Sequence, residues 1–274
     1  MTTFKTSDGL TLHYTDEGEG LPILCLAGLT RTGADFQYVA PHLAGNRLIT
    51  MDYRGRGRSD FDDNWENYSL PVEYRDVLEL LAHLSLDRVA ILGTSRGGLN
   101  AMGLAMGAKD RLLGVALNDI GPELDPGGLD FIMGYLGRNP AAKTHAELAA
   151  AMPRLFPDFE GVPESRWMQE AVKNYEETPE GLKITYDPKL RDAVEAAGAQ
   201  AAPDLWPFFD ALEGLPLACI RGANSNLLTT ATLAEMQRRR PDMISAEVPG
   251  RGHIPFLDEP EAVAVLQKWI EAMT

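Results

Sequence analysis

Gly93-Thr94-Ser95-Arg96-Gly97-Gly98 follows the apolar run Val89–Leu92 and opens Arg96–Met106, a stretch that is small and apolar on nearly every side. A serine at a sharp strand-to-helix turn is forced into strained backbone angles. Glycines two before and two after it remove the side chains that would otherwise collide. The helix that follows aims unpaired amides and the positive end of its dipole at any negative charge developing nearby. With 26 glycines in 274 residues, composition alone produces G-x-S-x-G roughly 0.07 times in such a chain. The strand before it and the helix after it are the context in which the pattern has chemical meaning, with Ser95 as a candidate nucleophile.

Working outward, apolar runs alternate with helical patterns, the signature of βαβ units and a parallel sheet. Phe4–Thr6 and Thr11–Asp16, joined across Asp8-Gly9, predict an antiparallel ribbon. Leu21–Gly28, Arg47–Asp52, Arg88–Thr94 and Leu112–Asp119 read as strands covered on both faces. Pro216–Arg221 and Ser245–Val248 bring the count to eight candidate strands. Helices are expected at Pro71–Leu84, Arg96–Met106, Thr230–Arg240 and Glu261–Met273; in the last, Ala262, Val265, Leu266, Trp269, Ile270 and Met273 share one face. The alternation breaks between Gly121 and Gly214. Helical pieces (Leu129–Leu136, His145–Phe156, Glu164–Glu176, Pro188–Ala197) lie there between prolines and glycines, with 17 acidic and 8 basic residues. The organisation expected is a core of residues 1–120 and 215–274 carrying a helical lid, 121–214, at the strands' C-terminal edge.

The whole chain carries 25 Lys+Arg against 40 Asp+Glu, a net charge of −15. Nucleic acid and anionic lipid are bound by clustered cations, so neither is an expected partner. At 45% apolar and 24% charged residues, the composition is that of a globular chain, long enough to bury roughly 75% of its unfolded surface. Cys25 and Cys219 lie inside strand-like runs and read as reduced core thiols. The N-terminal MTTFKTSDGL has no apolar run, and with the reduced thiols it points to the cytoplasm. The glycines match neither a phosphate loop nor a dinucleotide fingerprint, and no H-E-x-x-H or paired cysteines occur, so no cofactor and no metal are expected. A monomer or homodimer is expected.

Over essentially its whole length the chain resembles the α/β-hydrolase superfamily, through the Ser95 turn, the run Arg54-Gly55-Arg56-Gly57-Arg58-Ser59 and, above all, a histidine beyond the last strand. The resemblance implies an α/β fold with an eight-stranded, mostly parallel sheet, helices on both faces and a helical cap after the sixth strand. It also implies the order serine, acid, histidine. His253, in Pro249-Gly250-Arg251-Gly252-His253, fits as general base. The acid is expected after Pro216–Arg221, yet Asn226 stands at that position and no Asp or Glu occurs between Gly222 and Ala234. An amide can accept from the imidazole but brings no full charge. Three readings stay open: Asn226 is an Asp→Asn change that slows turnover, Asp119 at the end of the sixth strand supplies the charge, or the chain is a weak or non-catalytic member. The family's oxyanion hole would pair the N–H of Arg96 with that of Leu29 in Leu26-Ala27-Gly28-Leu29-Thr30, each worth about 3 kcal/mol in the transition state.

Arg31 and Arg96 are placed to meet an anionic substrate group, though ion pairs with Asp35, Asp52 or Asp119 are the expectation favoured by the local sequence. Arg54, Arg56 and Arg58, a few residues from Asp60, Asp62 and Asp63, read as a solvated, self-neutralised turn. Phe131, Tyr135, Trp167, Trp206 and Phe209 are candidates for lining an apolar substrate pocket. The expected activity is hydrolysis of a small or medium carboxylic ester or lactone through a Ser95 acyl-enzyme. Amide or carbon–carbon bond hydrolysis stays open, as does a non-catalytic small-molecule binder.

Overall fold

A computed structural model describes residues 2–199 and 203–274. β1 (Thr2–Lys5) and β2 (Thr11–Glu17) pair antiparallel, with Thr3 opposite His13. Their connection turns at Gly9, whose φ of 96° is open to glycine and costly for other residues. β3 (Pro22–Leu26), β4 (Arg47–Met51), α1 (Leu70–His83), β5 (Val89–Thr94), α2 (Arg96–Ala108) and β6 (Leu112–Asn118) come next. After a long insert come β9 (Leu217–Gly222), α8 (Thr230–Arg239), β10 (Ile244–Val248) and α9 (Pro260–Glu271). Within the insert lie α3 (Pro126–Tyr135), α4 (His145–Leu155), α5 (Glu164–Asn174), the strands β7 (Tyr175–Thr178) and β8 (Gly181–Ile184), α6 (Leu190–Gly198) and α7 (Trp206–Asp210).

The main sheet has eight strands in the order β1-β2-β4-β3-β5-β6-β9-β10, antiparallel at β1-β2-β4 and parallel from β4 onward. The period of two in the strands sorts their side chains to two cores. Leu24, Leu26, Ile91, Val115, Leu117 and Cys219 face α1, α2 and α8 through Val77, Leu80, Met102, Leu104 and Met236. Ile23, Cys25, Ala90, Leu92, Ala116 and Ile220 face α9 through Ala262, Val265, Leu266 and Trp269. Both cysteines are buried and free, and burial pushes their thiols up, away from the reactive thiolate. No helix among the described residues is long and apolar enough to cross a membrane.

The insert has its own small core. Leu148, Ala149 and Met152 of α4 pack on Trp167 and Ala171 of α5 and on Leu182 of β8. The hairpin β7–β8 is absent from the sequence expectation, which ran the preceding helix on to Glu176; α5 instead ends at Asn174. Its strands are too short and polar for alternation to show, and the turn is marked only by Pro179 and by Gly181 at φ 126°. The last piece, α7, does not join the insert's core. Phe209, with Leu212 and Leu215, is buried in the sheet's own core on the α2 side.

Candidate active site

Ser95 sits between β5 and α2 at φ 50° and ψ −115°, a conformation that β-carbon-bearing residues rarely adopt. Its neighbours make the bend possible. A Cβ on Gly93 would come within 2.6 Å of the Gly97 backbone, and one on Gly97 would run into the carbonyl oxygen of Leu26. These close approaches seat the start of α2 directly on β3 and β5. The turn is also tied from within: the Ser95 N–H donates to Asn118 O (3.0 Å), and Ser95 O accepts from the Gly98 N–H (2.8 Å).

His253 arrives from the loop after β10. Its Nε2 lies 3.0 Å from Ser95 Oγ, and its Nδ1 lies 2.7 Å from Asp119 Oδ2. A carboxylate only accepts, so Asp119 holds the ring proton on Nδ1 and leaves the Nε2 lone pair facing the serine hydroxyl. Asp119 is fully buried at the C-terminal end of β6, at φ 54°. Its Oδ1 accepts from the Gly222 N–H (2.7 Å), and Oδ2 also accepts from Ser225 Oγ (2.6 Å). A serine hydroxyl, an imidazole and a carboxylate in this chain of contacts can pass a proton from Oγ to Nε2 and stabilise the resulting imidazolium.

The carboxylate facing His253 is therefore Asp119, the second of the three readings left open by the sequence, and Asn226, which stands at the expected acid position, does not meet the imidazole. Asn226 lines the cavity in front of Ser95, while the loop it belongs to reaches Asp119 through Gly222 and Ser225. The physical reason is that the residue of that loop meeting the acid is a donor; the negative charge already stands on the adjacent strand.

Facing Ser95 is a cavity of about 650 Å³, lined by Gly28, Leu29 and Arg31 of the loop after β3, by His253 and Ile254, by α3 and α4 residues including Phe131, Tyr135 and Met152, and by Phe156 just past α4. Arg96 is the first residue of α2, so its N–H has no intrahelical acceptor; Leu29 lines the cavity beside Ser95. Of the aromatic candidates, Phe131 and Tyr135 line this cavity, whereas Trp167 borders a smaller one of about 50 Å³ behind His253. Trp206 and Phe209 line neither, contrary to expectation. Phe209 is core, and Trp206 packs on it, donates its indole N–H to Glu123 (2.8 Å) and lies under the Arg239 guanidinium.

The arginines also depart from expectation. Arg54 and Arg56 have no exposed surface at all. Arg54 pairs with Asp76 (2.7 Å), Asp62 (2.6 Å) and Asp8 (3.1 Å). Arg56 pairs with Glu73 (2.9 Å) and donates through Nε to the carbonyl of Leu29 (2.9 Å). Glu73 also accepts from Arg96 Nε (2.7 Å) and Asn100 (3.1 Å), so Arg96 pairs with Glu73 rather than with Asp52 or Asp119. Burial pushes the Glu73 carboxyl up, but Arg96 and Arg56 outweigh it and hold the group below the ordinary glutamate range. The local reading holds for the pairing of Arg54 with Asp62 and for the exposure of Arg58. It fails for the burial of Arg54 and Arg56, because their further partners Asp76 and Glu73 lie on α1, one turn apart on the helix face turned toward the run. Arg31 meets Asp35 at 3.7 Å, as the local sequence suggests, and more closely Glu170 of α5 at 3.0 Å.

A model of the alpha/beta hydrolase family matches residues 23–266. The chain belongs to that family. Among curated relatives of this alpha/beta hydrolase, the 3-hydroxybutyrate-oligomer hydrolase of Cupriavidus necator is 36% identical over 89% of this chain and 86% of its own length. The 2-(acetamidomethylene)succinate hydrolase of Mesorhizobium japonicum is 26% identical over 89% of this chain and 85% of its own. Among solved structures, an alpha/beta hydrolase from Novosphingobium aromaticivorans superposes with a TM-score of 0.92 at 36% identity, covering 98% of this chain and 97% of the other.

Sequence reasoning missed Ser225, Gly222, Glu73 and Glu170 as contributors to this hydrolase's site. Ser225 had a signal, being the hydroxyl beside the vacant acid position. Glu73 and Glu170 had none, because each reaches the site through the fold from a helix whose pattern announces only burial or exposure.

Proposed function

We propose that this protein is a serine hydrolase that cleaves carboxylic esters, lactones included, through an acyl-enzyme on Ser95. His253 Nε2 accepts the Oγ proton as Oγ attacks the carbonyl, and the Leu29 and Arg96 N–H groups receive the oxyanion. Collapse of the tetrahedral intermediate breaks the C–O bond, and His253 returns the proton to the departing alkoxide. Water then attacks the acyl-enzyme, with His253 taking its proton, and the acid leaves Ser95 with its hydroxyl restored. Asp119 orients the imidazole and stabilises its cation throughout. The insert acts as a cap whose α3 and α4 close the acyl and alcohol sites. Linear oligoesters of short hydroxy acids are the substrates to try first, since the Cupriavidus relative is named for hydrolysing one. We place the enzyme in the cytoplasm.

The relay Ser95 Oγ–His253–Asp119, at 3.0 and 2.7 Å, carries this reading. A chain-length panel of p-nitrophenyl esters and short oligoesters tests it, with intact-mass detection of a phosphonate adduct. Turnover and a single adduct, both lost in Ser95→Ala, are expected. Absence of ester turnover in the unmodified chain, or turnover undiminished in Ser95→Ala, would overturn it.

A further inference from the structure

We infer that the substrate carries a carboxylate close to its scissile ester, and that Arg31 is the residue that binds it. The inference rests on the ester-hydrolase reading above and narrows its substrate class to anionic esters. Arg31 belongs to the same loop as Leu29, and its stem lies against Gly28, the glycine facing the Cβ of Ser95. Its guanidinium, with five N–H donors, is engaged by Glu170 through Nη1 alone, with Asp35 at 3.7 Å from the same atom. The side chain retains 29% of its exposure and borders both the main cavity and the small one behind His253. Glu170 and Asp35 do not cancel this cation on their own account, because Lys173 pairs with both, at 2.6 and 2.8 Å. Two carboxylates against two cations leave the cluster neutral, and what Arg31 offers an incoming carboxylate is the N–H donors on Nε and Nη2 that Glu170 does not engage.

The charge around the cavity points the same way. The insert over Ser95 carries 17 acidic residues against 8 basic ones, yet the residues lining the cavity include Arg31 and Arg138 and a single carboxylate, Asp158. Among the described residues Arg138 has no carboxylate partner; its Nη1 donates only to the carbonyl of Gly134 (3.3 Å). A lining that is otherwise mostly apolar, inside an acidic insert, thus includes two arginines and one carboxylate. Planar guanidinium donors suit a carboxylate, and in a partly dehydrated cavity the pairing is stronger than in water. Arg31, whose stem lies beside the Gly28 that faces Ser95, reads the carboxylate at the reaction centre.

The test compares kcat/KM for γ-acetoxybutyrate and its neutral isostere γ-acetoxybutyramide, with p-nitrophenyl butyrate monitoring ester turnover as such. The unmodified enzyme should prefer the acid by tenfold or more, and Arg31→Gln should bring the ratio to near one, with Arg31→Lys retaining part of the preference. Turnover of p-nitrophenyl butyrate with an acid-to-amide ratio of one or less, or a ratio unchanged in Arg31→Gln, would refute the inference and leave the ester-hydrolase reading standing. No turnover of any ester would remove both. If Arg31→Gln does not fold, butyrate and butyramide are compared as inhibitors of the unmodified enzyme: butyrate should bind at least tenfold more tightly, and equal inhibition would refute the inference.

Discussion

Replacing Asp119 by Asn keeps the shape of the side chain and removes its charge, and the contacts around it determine the cost. In the aspartate, Oδ1 accepts from the Gly222 N–H, and Oδ2 accepts from Ser225 Oγ and His253 Nδ1. An amide offers one oxygen and one NH2 group to these two sides. If the oxygen turns to Gly222, the NH2 faces Nδ1 and forces the ring proton to Nε2, where it can no longer accept from Ser95. If the oxygen turns to His253, the NH2 opposes the buried Gly222 N–H, two donors face to face, at a cost of about 1–3 kcal/mol. The imidazolium meanwhile loses its counter-charge in both orientations. In the serine-protease template the same change lowers turnover about 10⁴-fold, close to 5.5 kcal/mol of barrier, and the same order is expected here. Steady-state kcat on p-nitrophenyl butyrate measures it, together with the pH–rate profile, in which the lost rate should partly return at alkaline pH as the wrong tautomer is bypassed. Asn226→Asp is the control, and it should change kcat by less than about threefold. A functioning Asp119→Asn enzyme, or a gain of orders of magnitude from Asn226→Asp, would refute the reasoning.

Ser225→Ala removes one donor to Asp119 Oδ2 and the acceptor of the Leu227 and Leu228 N–H groups; kcat should fall about tenfold with KM nearly unchanged, read from initial rates. Glu73→Ala strips Arg56 and Arg96 of their shared carboxylate and should cost about 3–5 kcal/mol in urea unfolding, with kcat falling as the Leu29 carbonyl loses its fixed donor. Gly97→Ala drives a methyl into the Leu26 carbonyl and should cost at least about 3 kcal/mol by the same measurement. Burial pushes the Glu170 carboxyl up, but Arg31 and Lys173 outweigh it and hold the group below the ordinary glutamate value. Its stabilising contribution is therefore full above that value and lost as pH falls through the folded-state pKa. The stability advantage over Glu170→Gln should narrow below about pH 4, and an advantage that grew with acidity would contradict the assignment.

Features are legible in this sequence to the extent that they are encoded locally. The eight strands and the four helices of the core announce themselves because burial on both faces of a strand leaves a continuous apolar run and burial of a helix leaves an apolar stripe or an apolar surface. A strand such as Val89–Thr94, buried at every residue, needs only its own residues to say so. Ser95 is legible for the same reason, since the clashes its glycines avoid lie within the turn and the strand beneath it. His253 needed only chain order. The identity of its carboxylate partner, the burial of Arg54 and Arg56, and the departure of Phe209 from the cavity each depend on which elements become neighbours. Phe209 looks the same in sequence whether it faces a ligand or α2. The arginine run looks solvated until α1, bearing Glu73 and Asp76, is laid across it.

The displaced acid illustrates why strand neighbourhood matters more than strand number. β6 and β9 are adjacent and parallel, with Asn118 opposite Ile220. The next residue on β6, Asp119, donates its N–H to Ile220 O and accepts from the Gly222 N–H at the end of β9. The tips of the two strands therefore lie side by side, and the end of β9 reaches the Asp119 carboxylate that faces the imidazole. Moving the charge from the loop after β9 to β6 leaves that loop with a different task, which is to satisfy the charge rather than supply it. Gly222 and Ser225 do this with one backbone and one hydroxyl donor. A carboxylate introduced at position 226 would line the cavity in front of Ser95 with no task on the imidazole, whose Nδ1 already faces Asp119, which is why Asn226→Asp is expected to leave kcat nearly unchanged.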